Sequence, residues 1–215
     1  MTIRPCRRLS YNAQNPGTSL VALSGLPTPP DSLLQAIPGF YPTPPGVISM
    51  MIAGVGGLRQ GERVLEPSAG RGDIADAITA LGAAAVVVEP HPALASILAG
   101  KGHALFKGRF EDFASEEQFD AVMMNPPFAA ALDMAHVRRA VEFLKPGGRL
   151  VSLLSENPLD HDESDVRDFE AWLRTSPLVG SFAVRPLEGR LFRSPDAFRP
   201  SDVPIRLLTL RRTTA

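Results

Sequence analysis

Four residues, Asn125-Pro126-Pro127-Phe128, carry the strongest chemical signal in the sequence. They follow the apolar run at residues 119–124, at the point where a buried strand would end. The Asn125 side-chain oxygen and the carbonyl of Pro126, which precedes another proline without an N–H, are suited to accept both hydrogens of a planar amino group. The residue types therefore indicate chemistry on an amine.

The same four residues also fit an ordinary turn, because proline ends strands and biases the preceding residue away from helix. A second signal favours a site. Residues 66–73, with the sequence EPSAGRGD, form a glycine-rich turn one βαβ-sized step earlier. Because open parallel sheets bind ligands at the carboxyl ends of their strands, two such turns together predict one ligand site.

The glycine turn and a later acidic residue are typical of a site for a nucleoside. Gly70 and Gly72 permit a tight turn and a close approach of the backbone to a ligand. Glu89 closes the next predicted strand, where a carboxylate accepts hydrogen bonds from ribose hydroxyls. Without Gly70 and Gly72 a solvated acid at a strand end would be the better interpretation, but with them the ribose role is favoured. The glycine spacing is neither G-x-G-x-x-G nor a phosphate loop, which disfavours nicotinamide cofactors and ATP.

Alternating strands and helices are expected to position these turns. The sequence predicts strands at residues 63–66, 84–89, 104–107, 119–124 and 149–154. It predicts helices from Val47 to about Ala53, at 73–81, at 92–99 and at about 132–144, the last ended by Pro146-Gly147-Gly148. Thr43 is expected at or near the cap of the first helix. The alternation indicates an α/β fold with a parallel sheet and helices on both faces.

The two ends of the chain depart from this alternation. A helix at about residues 166–173 is followed by strands at 181–184 and 205–210 without a crossover helix, which predicts an antiparallel edge. Residues 186–204 between these strands are a candidate substrate loop. Residues 1–39 are rich in proline and are expected to form an irregular arm, with residues 40–215 as a single domain.

The bulk composition excludes several classes of protein. The 215 residues are 44% hydrophobic with a mean hydropathy of +0.02, as in a soluble globular domain. No apolar run is long enough to span a membrane and the start lacks the core of a signal peptide, so the cytoplasm is the expected location. Cys6 is the only cysteine, which excludes a cysteine-rich zinc site. We expect no metal, and we expect residues 160–163 to form a solvated loop.

The net charge of the chain and the distribution of its arginines give conflicting indications about nucleic-acid binding. A net charge of −1 and a pI near 6.4 do not indicate a nucleic-acid binder. Arginines nevertheless crowd the last thirty or so residues, at Arg185, Arg190, Arg193, Arg199, Arg206, Arg211 and Arg212. Such clustering is what phosphate contacts require, and it is equally typical of a solvated surface.

Taken together, the glycine turn, Glu89 and the Asn125 turn resemble the class I S-adenosylmethionine-dependent methyltransferases. Within that class they resemble the group that methylates the N6 amine of adenine, and residues 41–45 (YPTPP) resemble its additional cofactor motif in the order of the γ-type DNA adenine methyltransferases. The resemblance covers residues 40–156 well. It implies a Rossmann-like methyltransferase fold, with a mostly parallel seven-stranded sheet, an antiparallel edge strand and helices on both faces.

The resemblance also implies a role for each matching residue. The catalytic turn would be Asn125, Pro126, Pro127 and Phe128. The cofactor S-adenosylmethionine, which leaves as S-adenosylhomocysteine, would be bound by Tyr41, Thr43, Glu66, Ser68, Gly70, Glu89, Phe110, Asp112 and Asn125. Thr43 would hold the methionine carboxylate and Glu89 the ribose. Arg109 stands where the family usually has an acid, so Glu111, Asp112 or stacking on Phe110 would recognise the cofactor adenine.

The substrate implied by the resemblance is the N6 amine of adenine, with DNA as the expected nucleic-acid partner. A base in a duplex would have to be flipped to reach the Asn125 turn, and the basic loop with Phe192 and Phe198 is the candidate to hold the strand, although both rings also fit inward packing. Related turns occur in enzymes that methylate RNA adenine or protein glutamine, and a non-catalytic binding module is a further alternative. The sequence predicts no oligomeric state.

Overall fold

Seven strands form one sheet in a computed structural model that describes residues 33–34, 36–157, 160–187 and 204–214. The strands are β1 (Arg63–Glu66), β2 (Ala84–Glu89), β3 (Ala104–Lys107), β4 (Phe119–Met124), β5 (Leu144–Ser155), β6 (Val179–Pro186) and β7 (Ile205–Arg212). Their order across the sheet is β3-β2-β1-β4-β5-β7-β6. The predicted α/β fold with a mostly parallel seven-stranded sheet is confirmed.

Among the described residues, the two faces of this sheet are covered by five α-helices of eight residues or more. They are α1 (Pro45–Gly54), α2 (Asp73–Ala80), α3 (Pro92–Gly100), α4 (Leu132–Glu142) and α5 (Glu163–Thr175). The first three contribute Met51, Ile78 and Leu98 to one buried cluster, and α4 and α5 contribute residues such as Val137 and Phe169 to the other. Strand residues alternate between the two clusters, so the sheet is buried on both sides, as parallel sheets are.

The reversed strand of the sheet is β7, and it lies one position in from the edge. It pairs antiparallel with β5 on one side and with β6 on the other. The expected antiparallel pairing is therefore present, while the outermost strand is β6. This order buries β7, which is more apolar than β6. The core includes four residues of β7, Ile205, Leu207, Leu208 and Leu210, whereas most of β6 is exposed.

The prediction for β5 was wrong at its start. Pro146-Gly147-Gly148 does not terminate α4, which already ends at Glu142, but lies inside β5 between the pairs Phe119↔Leu144 and Ala121↔Arg149. The extra residues form an irregularity of the kind that proline and glycine produce in strands. Arg212 of β7 donates to the carbonyl of Leu144 and so stabilises the irregular segment.

The prediction of a solvated loop at residues 160–163 was wrong for His161, while Asp162 and Glu163 are exposed as expected. His161 donates from Nε2 to the carboxylate of Asp133 at 2.9 Å, and the side chains of the two residues are 4% and 0% exposed. Burial raises the pKa of Asp133, while the hydrogen bond from His161 opposes that rise. Asp162 begins α5 with a capping box to Asp165. The segment is held against the start of α4 by a buried pair that joins residues 28 positions apart.

Several predictions fall on residues outside the described part of the chain. They are the irregular arm apart from its last residues, and residues 188–203 of the candidate substrate loop, which include Phe192, Phe198 and three of the clustered arginines. Among the described residues, no helix combines the length and apolar character needed to cross a membrane. The same residues contain no group of three or more His, Cys, Asp or Glu placed to hold a metal ion.

Candidate active site

A cavity of about 850 Å³ opens at the carboxyl ends of the parallel strands. Its walls come from the segments that follow β1, β2, β3, β4 and β5, together with residues 37–43 before α1. Cavities of this size accept ligands as large as a nucleoside with an attached amino acid. The glycine turn and the Asn125 turn are therefore parts of one site.

The side chain of Asn125 is held in one orientation by the segment before α1. Its Nδ2 donates to the carbonyl of Tyr41 at 3.2 Å and to Oγ1 of Thr43 at 3.1 Å. Its Oδ1 takes no hydrogen bond from any described residue, and the half-buried side chain lines the cavity. The amide therefore presents an acceptor toward the cavity and uses its donors elsewhere.

The chain is strained directly after the Asn125 turn. Ala130 and Ala131 have φ values of 56° and 55°, in the left-handed region that residues other than glycine seldom adopt. Each costs roughly 1–2 kcal/mol, and such strain is concentrated at functional sites. The N–H of Ala131 donates to the carbonyl of Asp160 at 2.9 Å, which ties the end of the turn to the segment after β5.

The glycine turn after β1 needs glycine at two positions. Gly70 has φ of 56°, and a Cβ there would lie 3.0 Å from the ring of Phe40. Gly72 has φ of 93°, a conformation that residues with a Cβ rarely adopt, and a Cβ there would lie 2.7 Å from Cδ2 of Leu98, which would have to move. Gly72 is also the N-cap of α2. Glycine at these two positions lets the backbone of the turn approach the cavity closely.

Glu89 holds this turn in place. Its Oε2 accepts the N–H of Gly70 at 2.8 Å, and its Oε1 accepts the N–H of His91 at 2.7 Å. Burial raises the pKa of Glu89, and the two backbone hydrogen bonds oppose the rise. Each carboxylate oxygen has a second lone pair, so the residue retains capacity for hydroxyl donors in the cavity.

Glu66 is the least satisfied carboxylate of the site. It is 1% exposed, and its Oε2 has no hydrogen-bond partner among the described residues. Burial raises the pKa of Glu66 well above its usual value, and repulsion from Asp73 adds to the effect. An unpaired buried acceptor of this kind is costly unless a ligand donor meets it. The site therefore fits a ligand that presents a hydrogen-bond donor at this point.

A third part of the cavity is built from Phe110, Glu111 and His136. The buried ring of Phe110 meets the ring of His136 edge-on, with 5.2 Å between centroids. The His136 Nε2 lies 3.6 Å from the Glu111 carboxylate, and neither ring nitrogen has a hydrogen-bond partner in the described structure. Burial lowers the pKa of His136, and the hydrogen bond from Arg109 lowers the pKa of Glu111 to about 2.

The position of this third part is fixed by Arg139 of α4. Its guanidinium donates to the carbonyls of Phe110 at 2.9 Å and Phe113 at 2.6 Å, and it stacks over the Phe110 ring at 5.4 Å. The short 3-10 helix at Phe110–Asp112 is thereby tied to α4, which also carries His136. A neutral imidazole and a carboxylate together offer one donor and several acceptors beside an aromatic ring.

The structure brings almost all the predicted site residues together. The cavity is lined by Tyr41, Thr43, Glu66, Ser68, Gly70, Glu89, Phe110, Asn125, Pro126, Pro127 and Phe128. Asp112 is not among the lining residues, whereas Glu111 is, although both acids are exposed. Sequence reasoning missed His136, Asn157 and Asp160. His136 had one usable signal, its spacing of four from Leu132, which puts both on one face of α4.

The fold is that of class I S-adenosylmethionine-dependent methyltransferases. A Listeria monocytogenes protein assigned to that class matches with a TM-score of 0.60 at 14% identity, over 78% of this chain and 58% of its own. A Pyrococcus horikoshii protein assigned as an RNA methyltransferase matches with a TM-score of 0.60 at 20% identity, over 85% of this chain and 97% of its own. This chain thus spans 58% of the length of the Listeria protein.

A third structure agrees with the expected cofactor. It is a Streptococcus mutans protein assigned as a methyltransferase and solved with SAH, with a TM-score of 0.53 at 14% identity over 80% of this chain and 99% of its own. No protein-family model matches the sequence, and no curated protein matches it. The likeness therefore establishes the fold, while the site residues carry the argument about function.

Proposed function

We propose that this protein is an S-adenosylmethionine-dependent methyltransferase that modifies the N6 amine of adenine in nucleic acid, with DNA as the first candidate. One observation carries the proposal: the Asn125 amide, at the carboxyl end of β4, is held by its nitrogen, and its oxygen accepts no hydrogen bond from the described residues around the cavity. An exocyclic amine bound beside Asn125 would donate one N–H to this acceptor.

The residues that would hold the cofactor are spread along the cavity. Glu66 would pair with the methionine ammonium, since its Oε2 is buried and unpartnered. Glu89 would accept from the ribose hydroxyls with its remaining lone pairs. Phe110, Glu111 and His136 would enclose the adenine, because their donor and acceptors complement an aminopurine edge. When bound, the cofactor supplies a methyl group already activated by a sulfonium sulfur.

The chemistry required of the protein is placement of the amine. An adenine amino nitrogen is a poor nucleophile because its lone pair is delocalised into the ring. If Asn125 Oδ1 and the Pro126 carbonyl each accept one N–H, the nitrogen moves toward tetrahedral geometry, and the charge that develops on it is stabilised. Phe128 would stack on the target base. No general base is needed before the methyl group moves, since the product proton can leave to water.

RNA is the second candidate substrate, and a specific observation favours it: the Pyrococcus horikoshii neighbour, which covers most of this chain, is assigned as an RNA methyltransferase. The described part of the basic tail gives little support to either nucleic acid. Arg206 pairs with Glu156, and Arg211 and Arg212 donate to backbone carbonyls of the β5 region. Each of these three arginines has a partner within the fold, although Arg206 and Arg211 are exposed, as Arg185 is.

The test is parallel transfer of a labelled methyl group from S-adenosylmethionine to unmodified DNA, structured RNA and a protein fraction. Nucleoside mass analysis would then identify N6-methyladenine in the labelled nucleic acid. We expect label in nucleic acid with the wild-type protein and none with Asn125→Ala. Label only in protein glutamine would overturn the substrate proposal. Binding of SAH without transfer to any fraction would instead indicate a non-catalytic module.

A further inference from the structure

The side chain of Thr43 makes a contact that its expected role at the cofactor carboxylate does not explain. Its Oγ1 accepts a hydrogen bond from Nδ2 of Asn125 at 3.1 Å, across 82 residues of sequence. Thr43 is 6% exposed, so the bond is shielded from water. The carbonyl of Tyr41 accepts from the same nitrogen at 3.2 Å.

These two bonds determine which way the Asn125 amide faces. A side-chain amide has two N–H donors on one end and an oxygen acceptor on the other. The Tyr41 carbonyl can only accept and therefore requires the NH2 end, while the Thr43 hydroxyl, which can accept or donate, accepts from that same end in this structure. A flipped amide would put Oδ1 against the Tyr41 carbonyl, two acceptors with no hydrogen between them, and would present donors to the cavity. A flipped amide would also repel an incoming amino group.

The segment that carries Thr43 is itself fixed by the fold. The carbonyl of Pro44, the N-cap of α1, accepts the N–H groups of Val47 and Ile48 at 2.9 and 3.0 Å. Val47 and Met51 anchor α1 in the core with no exposed surface. The orientation of the Asn125 amide is therefore set by a helix that packs on the sheet and not by the Asn125 turn alone.

We infer that Thr43 is a positioning residue for the reaction: together with the Tyr41 carbonyl, its hydroxyl oxygen holds the Asn125 amide in place with Oδ1 toward the substrate amine. The inference rests on the proposed function for its kinetic consequence, but the contact itself can be tested without any activity. Thr43 would thus act through Asn125, in addition to any contact it makes with the cofactor.

The direct test is the side-chain amide signal of Asn125 in a two-dimensional 15N–1H NMR spectrum, identified by its loss in Asn125→Ala. In Thr43→Val the hydroxyl acceptor is removed at nearly constant volume, so we expect the signal to shift or broaden. In Thr43→Ser the acceptor is kept, and we expect the wild-type position. Thr175→Val, the same change on the exposed end of α5, is the matched control and should leave the signal unchanged.

The kinetic test separates positioning from cofactor binding. We expect Thr43→Val to lower kcat roughly ten- to a hundredfold, because misplaced acceptors lose orientation, while the Kd for SAH changes less than about threefold. Thr43→Ser should restore kcat to within about threefold of wild type. If Thr43→Val proves poorly folded by its thermal transition, Thr43→Ala offers the same loss of acceptor without a branched side chain.

Two results would overturn the inference. One is an Asn125 amide signal that is unchanged in Thr43→Val. The other is a parallel loss of SAH affinity and kcat in that variant, which would make Thr43 a cofactor ligand only. If the wild-type protein transfers no methyl group at all, the proposed function fails, and the NMR result still decides whether Thr43 orients the amide.

Discussion

The two turns that face the cavity are built in different ways. The glycine turn after β1 is held by local contacts, since Glu89 binds the N–H of Gly70 only 19 residues away and Gly72 caps the helix that follows. The Asn125 turn depends on distant partners, Tyr41 and Thr43, and is followed by strained alanines. The comparison suggests that changes at the first turn affect cofactor affinity, whereas changes at the second affect turnover.

The largest effect that would test this contrast is expected for Asn125→Ala. The substitution removes the acceptor for the amine and leaves the glycine turn, Glu66 and Glu89 untouched. We expect kcat to fall roughly 100- to 1000-fold, as when a comparable transition-state hydrogen bond is deleted, with the Kd for SAH nearly unchanged. Calorimetric titration with SAH alongside the methyl-transfer assay measures both. Equal losses in SAH affinity and kcat would show that cofactor binding and turnover do not depend on separate turns.

A smaller and opposite pattern is expected for Glu66→Gln. The pKa of Glu66 is raised in the folded protein, so folding is coupled to the uptake of a proton by this carboxylate. The stability that this proton contributes is fully present below the usual pKa of 4.5 and is lost as the pH rises through the folded pKa. The neutral amide avoids this loss. We therefore expect the Tm of Glu66→Gln to exceed that of wild type at pH 7 and to converge with it near pH 4.

The same variant should bind SAH more weakly, by about tenfold at pH 7, because the ammonium partner has lost its charge. Glu156→Gln, which alters an exposed pair with Arg206, serves as the control for removal of a carboxylate. A Glu66→Gln protein with higher stability and unchanged SAH affinity would mean that Oε2 of Glu66 does not contact the ligand.

The smallest effect is expected for Ala131→Gly, at the strained end of the Asn125 turn. Glycine relieves roughly 1–2 kcal/mol of left-handed strain and costs about 0.4–1 kcal/mol through the greater entropy of the unfolded chain. We expect a net stabilisation of about 0.5–1 kcal/mol in denaturant unfolding, with a severalfold lower kcat from a looser turn. Ala135→Gly, on an exposed position of α4, is the control and should destabilise by about 1 kcal/mol. Destabilisation by both changes would argue against strain at Ala131.

Much of the fold was predictable because its strands are locally encoded. The predicted bounds of β1, β2, β3 and β4 match the structure, since each is an apolar run between turn residues. The start of β5 was missed, because Pro146-Gly147-Gly148 is a stop signal in sequence but an irregular segment once Phe119 and Arg212 pair with its neighbours. Burial of His161 was missed because its partner Asp133 lies in another element.

In the candidate site, too, some features could be predicted from the sequence and others depend on tertiary contacts. Gly70, Glu89 and Asn125 could be found from sequence because each follows a strand, and the carboxyl ends of parallel strands meet at one edge of a sheet. Glu111 rather than Asp112 lines the cavity because of a 3-10 helix tied to Arg139, and the Asn125 amide nitrogen is held by Tyr41 and Thr43. Residue types and short spacings specify which groups reach the cavity. Their final direction depends on contacts between segments far apart in the chain, which no local pattern encodes.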